Sequence, residues 1–511
     1  MSKKIIYVPL DERNCNYEYP FELGKCTGMD IVRPPKDIIS SIKRPGDVDA
    51  LWEWLYKNAG DSDYAILSLD MLVYGCLINS RRHHIPGDEC LERLGRLKKL
   101  KQINSKIEIH AFILIMRVSN YDNSSEEPDY WENFGKSIWK YSWLYDKNSK
   151  AGLSPAEADE LKNVNESIPQ EILKDYHDRR GNNLKVNLTA LDMVSEGVID
   201  HLIIPKDDTS EFGFSTNEQD HVNAAIDEKG LNNRVFVYPG TDEAGCTLVS
   251  RVFNKIKDRI PRVFVCYSST LGPQIIAKYE DRPINESIKW QVLSAGGFLT
   301  DDCSTADIIL MANTPGKYML ESEDQSKRDY SYTNFRNLID FTRKLIAFAD
   351  SGRTCIVADI AYCNGADNEL MKLLIKERLV ERIAGFGGWN TACNTLGVVI
   401  LQGMIASGLK IGNIKKHSGL YRFLIMKMIE DWAYQANVYV FLARCLSQEW
   451  GYDPDRLGEF KEKIIKRMLE ELNEFICKNF IKGTSLKRIK INGVELTWNR
   501  LFDFRFDFDM E

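Results

Sequence analysis

Two adjacent carboxylates, Asp207 and Asp208 in HLIIPKDDTSEFG, are the sharpest chemical pair in this 511-residue chain. They follow an apolar run directly, which sets them at the end of a buried strand. Neighbouring acids repel, so one is expected to keep its proton while the other ionises. A protonated acid beside an ionised carboxylate is the division of labour that cleavage of a glycosidic bond requires. The competing reading is structural: an Asp here caps the following helix or loop through the amides of Thr209 and Ser210.

A second pair, Asp242 and Glu243 in YPGTDEAG, follows the next apolar run, and Asp242 is the expected third catalytic acid. Helix capping competes strongly at this position. The first apolar run closes on Asp11, Glu12 and Arg13, with Asn14 and Asn16 beyond. An Asp with an Arg two positions on can fix a sugar's vicinal hydroxyls or hold a catalytic carboxylate in register, and a plain ion pair is the alternative. Asp70 and Arg117 close two further runs and carry the same two readings. AYCNGADNE supplies Asp359, Asn364 and Asp367, and GFGGWNTACNTLG supplies Trp389, Asn390 and Asn394. An aromatic ring beside side-chain amides suits a pyranose, which offers an apolar face to stack and hydroxyls to bond. Substrate binding is therefore expected from Asp11, Arg13, Asn16, Asp70, Arg117 and these six residues.

The seven histidines show neither an HxH pair at a strand end nor HExxH, so zinc is not expected and no metal ligand is assigned. Oxygen-ligated Mg²⁺ or Ca²⁺ stays open and gives the rival reading, a divalent-metal hydrolase or lyase. Gly385, Gly387 and Gly388 belong to no GxGxxG or Walker pattern, and no cofactor is expected. A third reading keeps the same residues as a non-catalytic saccharide-binding module.

What must position these residues is a repeated phrase: IIYVPLDER, YAILSLD, FILIMR, HLIIPKDD, VFVYPGTDE, CIVADIAYCNGAD and IAGFGGWNTACNT. A buried parallel strand reads as a continuous apolar run, and α/β chemistry gathers at the carboxyl ends of such strands. The closing polar residues are thus expected to line one shared mouth. Segments with helical spacing lie between the runs, as in Val48 to Tyr56 with Leu51, Trp52 and Leu55 on one face. The fold class expected is α/β, a (β/α)-barrel-like core with an inserted α/β unit and a helical C-terminal region; the alternative is two doubly wound α/β domains. The expected divisions are 1–256 and 331–405 for the core, 257–330 for the inserted unit, and 406–511 for the helical region. That last part ends in a small β-appendage with an Asn-Gly turn at Asn492. The aromatic stretch 119–150 reads either as an amphipathic helix packed on the core or as a lid over the mouth.

Lys plus Arg number 67 against 74 Asp plus Glu, a net charge of −7, and no basic run appears. That argues against a nucleic-acid partner, which needs a clustered basic footprint. Twelve cysteines without a CxxC pair point to a reduced interior. The N-terminal apolar stretch is too short for a signal segment, and no run approaches the roughly 20 residues that span a bilayer. The expectation is a cytoplasmic protein with a small saccharide substrate and no membrane partner, its oligomeric state unassigned.

The PLDER opening with Asn16 beyond it, the KDD and GTDEAG turns, DIAYCNGAD and GWNTACNTLG together resemble a large bacterial family catalogued only as a domain of unknown function. Its N-terminal hallmark is Pro-Leu-Asp-Asp/Glu-Arg-Pro-x-Asn, and Asn14 stands where that pattern has Pro. More loosely, the adjacent acids after a strand are similar to the acid pair of barrel-fold N-acetylhexosaminidases. That similarity implies Asp207 as the orienter of a substrate acetamido group and Asp208 as the acid.

Overall fold

The computed structural model describes residues 3–511. It is a mixed α/β chain with parallel sheets, and its contacts divide it into two compact units. The first comprises Met1–Glu12, Gly28–Leu248 and Tyr279–Asp281; the second comprises Arg13–Thr27, Val249–Lys278 and Arg282–Glu511.

In the first unit six strands pair in the order β2-β1-β3-β4-β5-β6, all parallel. They are β1 (Lys4–Val8), β2 (Asp30–Val32), β3 (Tyr64–Ser68), β4 (Glu108–Phe112), β5 (His201–Lys206) and β6 (Val235–Pro239). β3 and β5 are buried along their whole length, as their unbroken apolar runs imply. The register from Ile5↔Tyr64 to Val8↔Leu67, and on to Ser68↔Phe112, aligns the strand ends. Residues following β1, β3, β4, β5 and β6 therefore gather along one edge. Between strands, the helix Val48–Ala59 starts at Asp47, whose side chain accepts from the Ala50 amide at 3.0 Å, and it buries Leu51, Trp52 and Leu55. The aromatic stretch forms the helix Trp131–Lys150, with Trp131 and Ile138 packed against Tyr176 and Phe214. The packed-helix reading thus holds for 131–150, while the loop before it has a separate role described below.

The second unit has a five-stranded parallel sheet in the order β13-β11-β9-β7-β8. Its members are β7 (Arg262–Tyr267), β8 (Phe298–Leu299), β9 (Ile308–Asn313), β11 (Cys355–Asp359) and β13 (Gly385–Gly387), while β10 (Leu320–Glu321) pairs with β12 (Tyr362–Cys363) in a separate ladder. The strands of 257–330, expected to form an inserted unit, share this sheet with the strands of 331–405 through β9 and β11, from Cys355↔Ile309 to Asp359↔Asn313. The boundary between the two units falls within the helix Ala244–Ile256 instead of at residue 256. Helices Ala392–Gly408 and Ser418–Met428 lead into a π-helical stretch, Ile429–Val438, and the chain closes on the antiparallel pair β14 (Ile489–Leu496) and β15 (Phe504–Met510). The β-appendage is present, but Asn492 lies inside β14 at a bulge, not in the turn.

Among the described strands no pairing joins β2 to β6 or β13 to β8, so the barrel-like core finds no support. The seven apolar phrases feed two sheets, the first five supplying β1, β3, β4, β5 and β6 and the last two β11 and β13.

Candidate functional site

In the first unit, Asp207 and Asp208 leave β5 into a knot of charge. Arg81, at the end of the helix Leu77–Arg82, is 2% exposed and donates from one Nη to Asp207 Oδ2 at 2.5 Å and from the other to Glu126 Oε2 at 2.9 Å. Arg117, beyond β4, donates to Asp208 Oδ2 at 2.9 Å, Glu126 Oε2 at 3.0 Å and Glu127 Oε1 at 2.8 Å, and also to the Tyr121 hydroxyl. Thr241, after β6, gives its hydroxyl to Asp207 Oδ1 at 3.2 Å. Four carboxyl groups thus face two guanidinium groups. With acid in excess, the least tightly held carboxyl should retain a proton.

That carboxyl is Asp208. Its side chain keeps 33% of its surface open, against 6% for Asp207. Removal from bulk solvent pushes the Asp208 acid up to about 6; Arg117 opposes the rise and the charge of Asp207 adds to it. Its backbone sits at φ +29°, a sparsely populated region for any residue but glycine. The following loop is pinned by the aromatic helix: Asp146 accepts from the Gly213 amide at 2.9 Å and Ser142 from the Phe214 amide at 2.8 Å. Beside Asp208, Val118, Trp139 and Phe212 enclose a recess of about 10 Å³, room for about one water and not for a sugar ring. Trp139 and Ser142 of the aromatic stretch therefore lie beside Asp208.

The other predicted residues of this unit separate by role. Asp70, 1% exposed, accepts from the Leu114 amide at 3.0 Å, and burial pushes its acid up to about 7. Asp11 and Asp242 are buried at the ends of β1 and β6. Glu243 folds back on the Thr241 amide at 2.8 Å, across Gly240 at φ +144°, where an added Cβ would meet the Glu243 carboxyl. Glu243 is thus a brace for the turn. Lys206, the last residue of β5, is wholly buried and donates to Asp281 and Gln219.

The predicted residues of the second unit make a tighter and drier cluster. Asp359 and Asp367 are both 0% exposed. Asn313 donates to Asp359 Oδ1 at 2.8 Å and to Asp367 Oδ2 at 3.2 Å, and the Asp367 amide donates to Asp359 Oδ2 at 2.7 Å. Arg336 reaches Asp367 Oδ2 at 2.6 Å, while Asp367 Oδ1 caps the helix Asn368–Lys376 through the Glu369 amide. Burial, reinforced by neighbouring Asp367, pushes Asp359 up to about 7. Asp431, in the π-helical stretch, receives the Gly388 amide at 2.7 Å and Lys427 at 2.8 Å; burial lifts it to about 7 against the pull of Lys427. Trp389 is 7% exposed, with Phe502 5.7 Å and Lys427 5.6 Å from its ring centre, so the expected open stacking face is covered. Asn364 and Asn390 occupy left-handed turns at φ +60° and +63°, positions Asn tolerates better than most residues. Asn364 also donates to Glu321 at 3.0 Å, and Asn394 is buried in the first turn of the helix Ala392–Gly408. Asn16 is buried, and Arg13, 6% exposed, lies 4.7 Å over the Trp498 ring. The boundary between the two units falls between Glu12 and Arg13.

Arg81, Glu126, Glu127 and Lys206 in the first unit, and Asn313, Arg336, Lys427 and Asp431 in the second, escaped the sequence reading. The Glu-Glu pair nine and ten positions after Arg117 is the available signal. Among the described residues, no group of three or more His, Cys, Asp and Glu side chains has the geometry to hold a metal ion. Asp207, Asp208, Glu126 and Glu127 point at guanidinium groups.

No curated protein matches the chain. Residues 5–507 match the family described as "Protein of unknown function (DUF4127)", and the chain belongs to that family.

Proposed function

We propose that the first unit's cluster cleaves glycosidic bonds, with Asp208 giving the leaving group its proton and Asp207 orienting the reacting end of the sugar. The observation that carries this reading is the contrast within one dipeptide. Asp207 has both oxygens engaged, by Arg81 and Thr241, a geometry for holding and not for transferring. Asp208 is tied through one oxygen to Arg117, stays one-third exposed, and has an acid raised to about 6. A proton donor works best when its acid lies near the operating pH. An N-acetylhexosaminidase-like route, with Asp207 directing a substrate acetamido group, fits these roles. A small oligosaccharide or glycoconjugate is the substrate class, and its entry requires Trp139 and Phe212 to move off the recess beside Asp208. We read each unit as a doubly wound α/β domain. In the first, strand order reverses at β1, where right-handed crossovers place helices on both faces.

The test is a panel of aryl glycosides that includes N-acetylhexosaminides. Release of the aryl group by the purified chain, unchanged by EDTA, is expected. Release that EDTA abolishes and Mg²⁺ restores would favour metal-dependent hydrolysis, and no release across the panel would remove the glycosidase reading.

A further inference from the structure

A cavity of about 640 Å³ in the second unit takes no part in the chemistry above. That is the size of a metabolite site. Lys372, Lys376, Arg378 and Lys482 line it, and no acid among the described residues does. None of the four cations forms an ion pair with a described residue. Four unneutralised like charges around one concavity raise its potential and draw in an anion.

The backbone brings these charges together. Lys372 and Lys376 stand one turn apart on the helix Asn368–Lys376. Gly483 lets the chain carrying Lys482 pass against that helix, since an added Cβ would lie 2.8 Å from Ile375 Cα. Arg378 sits just past the helix end at φ +53°, its amide bonded to Ile375 O and the Leu379 amide to Leu374 O. Glycine is the usual residue at such a stop. The helix dipole accounts for cations at Lys376 and Arg378, but not for Lys372 near the middle of the helix or for Lys482 from another segment.

Two aromatic rings and three side-chain amides also line the cavity. Trp432 and Phe475 meet edge to face with ring centres 5.0 Å apart. Asn368 Oδ1 accepts from Trp432 Nε1 at 2.8 Å and from Asn437 Nδ2 at 3.0 Å, which locks the amides beside the rings.

We propose that this cavity binds a phosphorylated small molecule, its phosphate among the four cations and its ring or apolar part against Trp432 and Phe475. The site is separate from the proposed glycosidase chemistry and does not depend on it.

Calorimetry on the full chain with 4-nitrophenyl phosphate and inorganic phosphate tests the proposal. One molecule of the nitrophenyl ester should bind per chain, inorganic phosphate should compete more weakly, and added salt should loosen both. Arg378→Gly removes a charge while suiting the left-handed turn, so the variant should melt no lower than wild type yet bind the ester at least tenfold more weakly. Lys57→Ala, an exposed lysine of the first unit, should bind as wild type does. No saturable binding of either probe, or equal affinity in wild type and Arg378→Gly, overturns the proposal.

Discussion

Asp208 in the first unit and Asp359 in the second both hold their protons more firmly than a free carboxyl, and burial is the leading cause for each. Their surroundings differ in what they leave available. Asp359 has no exposed surface and accepts one N–H on each oxygen, from Asn313 and from the Asp367 amide. Asp208 is one-third open, and its one guanidinium partner, Arg117, also serves Glu126 and Glu127. A raised acid alone marks neither a catalyst nor a brace. Access to the proton separates them, and by that measure the second cluster fixes the junction of β9, β11 and the helix Asn368–Lys376.

The largest effect expected from this contrast is on turnover. Asp208→Asn should slow release of poor leaving groups on the order of 10²- to 10⁴-fold and leave the urea midpoint close to wild type. Comparable slowing on 2,4-dinitrophenyl and methyl glycosides would break the assignment, because only the latter needs the proton.

Much of the first cluster was legible because buried parallel strands announce themselves as apolar runs, and Asp70, Arg117, Asp207 and Asp242 each close or follow one. Arg81 was not, since it lies at the end of a helix with nothing local to distinguish it from Arg82, and its role appears only when the fold brings it against Asp207. Glu126 and Glu127 lie in a stretch dense in aromatics, residue types that point to packing before chemistry. Strand-helix alternation reads alike for a barrel and for two open sheets; the choice rests on which edges pair, a long-range property no local period encodes. The π-helical turn that delivers Asp431 has the composition of the α-helix before it.

In the second unit the expected losses are of stability. Arg336→Met removes the buried guanidinium partner of Asp367, and breaking a buried pair from one side costs about 3–5 kcal/mol. Denaturant melts should show it, and activity per folded molecule should hold. A stable variant with depressed turnover would reverse the roles given to the two clusters.

A smaller effect follows from linkage. With Asp359 raised to about 7 and an unfolded value near 3.9, the folded state binds the extra proton between those limits. Its contribution is fully present below about pH 4 and is lost as pH rises through about 7, with a slope of at most about 1.4 kcal/mol per pH unit. Stability measured from pH 5 to 8 should therefore fall less steeply in Asp359→Asn than in wild type. Identical slopes would mean that the buried carboxyl does not titrate there.

The central claim, that Asp208 is the accessible proton donor, is tested most directly by the pH dependence of kcat/KM on a glycoside with a poor leaving group. Asp208 acts while protonated, so the rate should hold below about pH 6, fall about tenfold per pH unit above it, and lose that limb in Asp208→Asn. A profile flat to pH 8, or a limb that survives unchanged in the variant, would contradict the account.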